Sequence, residues 1–295
     1  MKADVNILRK TKVKRRGQLR SIWNRYKRNK LAMVGLFLMA LLVFFSLSAH
    51  FIVDYDKAIH QNMQERFQEP SLKHIFGTDQ YGRDIFARII HGAKISIFMG
   101  LFNVAIALTI GSIIGSVAGY YGGYIDGIVM RIMDVFLAIP QTLLAISIVA
   151  VLGQGVINLM IALIISAIPK FARIVRSAIL TVRGQEYIEA ARAYGTNDMR
   201  IIFKHVMPNA IGPIIVQATL DMAFAILSIA SLSFLGLGIS PPTPEWGSML
   251  SEGKTYMRDY SYLVVFPGIA IVITVLALNL IGDGLRDALD PRLRN

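Results

Sequence analysis

The chain holds five histidines, His50, His60, His74, His91 and His205, and they are too scattered to suggest a metal site. Cysteine is absent, which removes thiolate ligands and disulfides together and leaves the redox compartment unmarked. No Ser-His-Asp set and no pair of carboxylates on one helix face points to catalysis. No Gly-x-x-x-x-Gly-Lys-Ser/Thr loop occurs to cradle a nucleotide phosphate, so any energy from ATP has to come through another chain. The residues that stand out do so by position instead.

The most informative stretch lies between residues 181 and 208. Gln185 to Tyr194 reads as a short helix with Tyr187, Ala190, Ala191 and Tyr194 on one face. Gly195 follows, suited to the left-handed conformation that ends a helix. Thr196 or Asn197 can cap a second helix, in which Met199, Ile202, Phe203 and Val206 make an apolar stripe at i, i+3, i+4 and i+7. Pro208 is expected to stop that helix. Two short helices at a glycine elbow form either a connector packed on its own body or a docking knob for a soluble partner. The pattern leaves both open.

Two further features need a packing partner. Gly111, Gly115 and Gly119, four residues apart, lie along one helix face and let another backbone approach closely. Packing within the chain is the expectation, ahead of packing against a second subunit. Asp221 sits alone in an apolar run, so it must face protein or water. Lining a pathway and pairing with a buried polar neighbour fit it equally. Asp134 is expected to pair with Arg131 or with loop bases.

The elements that must position these residues are membrane spans. Of 295 residues 54% are hydrophobic and only 17% charged, and mean hydropathy is +0.53. The apolar residues come in long runs, and a bilayer core of ~30 Å takes about 20 of them as helix. Leu31 to Ala49, Ile95 to Ile125, Asn209 to Leu237 and Ser261 to Gly282 each supply a span. Val135 to Pro169 is too long for one crossing, and Gly153-Gln154-Gly155 divides it into two, the second running to Leu180. The expectation is an all-α polytopic protein of about six transmembrane helices.

The net charge of +12 has a sidedness. Twelve Lys and Arg precede Leu31, and seven lie between Lys170 and Lys204. With Arg131 and the tail, one side holds twenty-three bases against seven on the other. That bias puts both termini and the elbow in the cytoplasm. Because the bases alternate with spans, their distribution speaks against nucleic-acid binding. The chain therefore divides into a basic cytoplasmic segment (1–30), a first span (31–53), an extracytoplasmic loop (54–93), a core of five spans (94–283) and a cytoplasmic tail (284–295). An uncleaved anchor fits the first span better than a signal peptide does, since its apolar run is long. In the outer loop, Ile85, Phe86, Ile89 and Ile90 suggest a short helix on the membrane surface, and Trp246 suits an interfacial position.

The residues also match a family pattern. Glu189-Ala190-Ala191, Gly195 and Pro208 resemble the EAA loop of binding-protein-dependent ABC importer permeases, although His205-Val206-Met207-Pro208 departs from the usual Ile-x-Leu-Pro ending. Phe76-Gly77-Thr78-Asp79-Gln80-Tyr81-Gly82-Arg83-Asp84 resembles the dipeptide, oligopeptide and nickel branch of that family. So do Ser233 to Gly238, the Pro241-Pro242 and Glu245-Trp246-Gly247 stretches, and the closing Asn279 to Pro291. The likeness runs from about residue 20 to the end and points to the C-type permease of a pair. It implies a type I ABC importer permease fold in the bacterial cytoplasmic (inner) membrane. It implies as partners a second homologous permease, two ATP-binding cassette ATPase subunits and an extracytoplasmic substrate-binding protein, besides the lipid bilayer. No cofactor is expected on this chain, ATP and Mg2+ belonging to the ATPases. The resemblance assigns ATPase coupling to Tyr187, Glu189, Ala190, Ala191, Tyr194, Gly195, Met199, Ile202, Phe203 and Pro208. Short peptides are the implied cargo, with chelated nickel or another small solute as the alternative and a secondary transporter as the rival class.

Overall fold

The computed structural model describes residues 20–289. Residues 1–19 of the basic segment lie outside the described residues, as do residues 290–295 of the tail with Arg292 and Arg294. Helix α1 (Lys30–Leu47) starts where the Asn29 side chain accepts the Ala32 N–H at 3.1 Å. Helix α2 (Ile85–Tyr121) has 37 residues, and its length of about 55 Å exceeds any bilayer core. Helices α3 (Gly123–Leu137) and α4 (Gln141–Leu152) follow, bent against each other by 82°. Next come α5 (Val156–Leu180), the short α6 (Glu186–Ala193), and α7 (Asp198–Phe234). A short α8 (Trp246–Gly253) and a long α9 (Tyr262–Leu289) complete the described residues.

Among the described residues five helices, α1, α2, α5, α7 and α9, are long and apolar enough to cross a membrane, and the bent α3–α4 pair makes a sixth if it counts as one span. The third span differs from the straight helix expected from Val135. Twelve residues of α4 rise only about 18 Å, short of a ~30 Å core. Pro140 at the bend lacks the N–H that would continue the ladder. The turn expected at Gly153 and Gly155 is present, both with positive φ.

The surface helix expected near Ile85 is instead the first two turns of α2. Arg88, off the apolar face of those turns, is buried in ion pairs and leaves no polar face to lie on a membrane. Trp246 is likewise buried rather than interfacial, its indole N–H donating to the Ile89 carbonyl at 3.1 Å. Pro208 does not stop a helix. The chain widens into a π-turn over Ile202–Val206, in which the Met207 N–H bonds the Ile202 carbonyl, and α7 continues beyond it. The wider turn accommodates the proline ring, and the Asn209 amide donates to the His205 carbonyl at 2.6 Å.

Helices α2 and α5 form the central pair of the bundle. α7 packs on both, and α9 lies between α7 and α1. A Cβ on Gly111 would sit 2.6 Å from the Phe171 Cβ, and one on Gly119 would sit 3.1 Å from the Arg176 carbonyl oxygen. At Gly115 it would overlap the Ala172 carbonyl oxygen. The glycine stripe therefore lies against α5 of the same chain, at backbone-to-backbone range.

Candidate functional site

The end of α6 has the bonds of a Schellman motif. The Thr196 N–H reaches the Ala191 carbonyl at 3.1 Å, and the Gly195 N–H reaches the Arg192 carbonyl at 2.9 Å. Gly195 has φ +70°, the left-handed conformation that this motif requires. Asn197 then caps α7, its side chain accepting the Met199 N–H at 2.9 Å. The result is a rigid elbow between α6 and α7.

One face of the elbow is inside and the other is open. Ile188, Ile201, Ile202 and Val206 are buried against Tyr120, Val175, Ile179 and Val182, with Ala191 partly buried beside them. At about 1.5–3 kcal/mol per side chain, those four contribute roughly 6–12 kcal/mol of gross burial. The open face carries Tyr187, Tyr194, Met199 and Phe203, all large and all exposed, with Glu189, Ala190 and Pro208 exposed around them. The expected stripe is therefore split, with Met199 and Phe203 outward and Ile202 and Val206 inward. Ile201 lies at the centre of the buried arc, and the stripe pattern had left it out.

Polar bonds tie the elbow to the spans. The Tyr120 hydroxyl donates to Asp198 Oδ1 at 2.6 Å and accepts from Arg192 Nε at 3.3 Å. The Arg183 guanidinium donates to the Gly119 carbonyl at 2.8 Å. Both helices of the elbow thus grip the last turn of α2. The sequence reading missed these anchors. Their signal was the aromatic at the end of a span, a residue type that usually marks an interface.

Asp221 lies in the middle of α7, where it accepts from Lys170 of α5 and, at 3.2 Å, from the Gln217 amide. Asp134 pairs with Arg173, not with Arg131, and Asp126 pairs with Arg176.

At the opposite end of the bundle, four charges close on one another out of solvent. Asp79 Oδ2 accepts from Arg83 Nε and Arg88 Nη1, both at 2.6 Å, and Glu252 Oε2 accepts from Arg88 at 2.7 Å and also from Arg83. This neutral cluster ties the segment before α2 to α2 and α8. Glu245 caps the start of α8, accepting the Gly247 and Ser248 N–H groups at 2.8 Å each, and is fully buried. Burial pushes its carboxyl above the ordinary range, with the bonds from Gly247 and Ser248 opposing part of that rise.

Residues 111–295 match the family model described as a binding-protein-dependent transport system inner membrane component. Residues 17–70 match the N-terminal transmembrane domain of oligopeptide transport permease C. The chain is 47% identical to a dipeptide transport system permease protein of Alkalihalophilus pseudofirmus, covering 94% of this chain and 90% of that one. A di/tripeptide transport system permease protein of Pseudomonas aeruginosa is 43% identical over 94% of this chain and 93% of its own. A glutathione transport system permease protein of Escherichia coli is 47% identical over 92% and 90%. Among solved structures, inward-facing conformations of the MetNI methionine ABC transporter match with a TM-score of 0.57 at 20% identity, covering 69% of this chain and 96% of that one. At that identity the likeness is one of fold.

Proposed function

The chain belongs to the family of binding-protein-dependent transport system inner membrane components, and from that premise we propose that it is the permease subunit of an ATP-driven importer of short peptides. It forms half of the translocation pathway, with a second, homologous permease forming the other half. Two separate ATPase subunits bind ATP and Mg2+, and an extracytoplasmic protein delivers the cargo. Both termini and the elbow lie in the cytoplasm, in keeping with the bias of basic residues.

The observation that carries this reading is the elbow. Its open apolar face of Tyr187, Tyr194, Met199 and Phe203 has no partner among the described residues, while its inner face is fixed to α2 and α5. An apolar knob on a rigid mount transmits a push. An ATPase closing around it moves α2 through Tyr120 and Arg183, and the central α2–α5 pair moves as a unit through its glycine seam. Peptide cargo is supported by the three relatives, whose names all refer to peptides.

Reconstitution tests the proposal. The isolated chain is expected to bind no ATP. Together with its partner permease and ATPases it is expected to hydrolyse ATP and accumulate dialanine only when loaded binding protein is present. Saturable ATP binding by the chain alone, or dialanine uptake without ATPases, contradicts it.

A further inference from the structure

We infer that Lys170 and Asp221 form a counter-charge site within the membrane that closes on itself when empty and opens for the two charged ends of a peptide, the ammonium at Asp221 and the carboxylate at Lys170. The inference rests on the peptide reading above and deepens it.

Three observations carry it. First, Lys170 lies mid-span, yet its side chain is 41% exposed on the surface of the subunit. An ammonium in that position cannot face hydrocarbon, so this surface looks onto protein or water. A half-pathway facing a second permease provides that setting. Second, the pair is only half satisfied. Asp221 Oδ1 takes both Lys170 and Gln217, while Oδ2 is buried without a partner among the described residues. An oxygen of that kind is free to accept one further donor. Third, the pair borders a cavity of about 20 Å3 whose lining includes Asn103, Gln141, Lys170, Asp221, Phe224 and Ser228. That volume holds one water and no peptide, so cargo enters only if the pair parts.

The chemistry of a peptide's ends fits what parting releases. A zwitterion leaving water needs one anion and one cation at its ends. Separating Lys170 from Asp221 supplies both, and the site stays neutral before and after. The Asn103, Gln141 and Gln217 amides can bond the peptide backbone, whatever its side chains. Toward the elbow, α5 continues with Arg173 and Arg176, each held by an acid of α3, so polar groups line the way onward from Lys170.

The test uses the complete transporter in proteoliposomes, with Lys170→Met, Asp221→Asn and the double variant. Dialanine uptake, co-purification of the ATPases and membrane abundance are measured together. Each single variant leaves a lone charge, and a fall in uptake alone also fits a structural pair. The double variant removes both charges and spares the fold an unpaired one. It is expected to assemble at wild-type abundance with its ATPases and still take up dialanine at least tenfold more slowly. Uptake restored to the wild-type rate in the double variant overturns the inference and leaves the peptide reading standing. A wild-type complex that hydrolyses ATP but accumulates neither dialanine nor glutathione overturns both.

Discussion

Replacing Gly195 with valine tests the elbow without touching its surfaces. A Cβ built on Gly195 meets nothing within 4 Å, so the substitution introduces strain and no collision. The strain arises because φ is +70°, where a side-chain-bearing residue is disfavoured by about 1–2 kcal/mol and a β-branched one falls at the upper end. The elbow helices are seated by roughly 6–12 kcal/mol of gross burial at Ile188, Ile201, Ile202 and Val206, which is larger. They therefore stay on the bundle while the Schellman turn opens. A penalty of about 1–2 kcal/mol raises the share of opened elbows about 5–30-fold. Opening moves Tyr187 and Ala190 relative to Met199 and Phe203, dividing the exposed face. Uptake is expected to fall, by no more than that factor, at unchanged membrane abundance. Gly195→Asn, which tolerates the left-handed conformation, is expected to stay near wild type. Uptake by cells expressing each variant, normalised to immunoblot, gives the comparison. Equal loss in the Asn and Val variants, or wild-type uptake in both, refutes the reasoning.

Tyr120→Phe removes the hydroxyl shared by Asp198 and Arg192 and is expected to loosen the elbow from α2 by about 1.5 kcal/mol. ATP turnover should persist but respond less to loaded binding protein in reconstituted vesicles. Gly115→Leu forces a side chain onto the Ala172 carbonyl and should cost about 1–3 kcal/mol, read as a lower melting temperature in detergent. Gly127→Ala, where a Cβ meets nothing within 4 Å, is the neutral control. Glu245 titrates at a raised value when folded, so the folded state holds its proton more tightly than the unfolded chain does. Its contribution is fully present below the unfolded carboxyl range and is lost as pH rises through the raised folded value. Glu245→Gln keeps an acceptor for α8 and should flatten that decline in melting temperature.

Spans, elbow and glycine seam were legible because each rests on local rules. Apolar length sets a span, a left-handed glycine ends α6, and Asn197 caps α7. The misread features depend on what the chain meets in three dimensions. Glu252 lies more than 160 residues from Arg83 and Arg88 in the chain, and only the fold brings it to them. Met199 and Phe203 shared a period with Ile202 and Val206, and that period does not say which edge of a helix meets the bundle. Pro208 reads as a stop in an α-helix, whereas the π-turn before it removes the clash. The bend at Pro140 was hidden because the run around it is apolar on both sides.

The central claim is that the elbow faces the cytoplasm and is covered there by an ATPase. The chain has no native cysteine, so a single Ala190→Cys, on the exposed face, can be labelled with a membrane-impermeant maleimide against a clean background. The account predicts no reaction in right-side-out vesicles and rapid reaction in inside-out vesicles stripped of ATPases. Adding the ATPase subunits back should protect the cysteine. Labelling from the outer side, or labelling undiminished by bound ATPase, contradicts it.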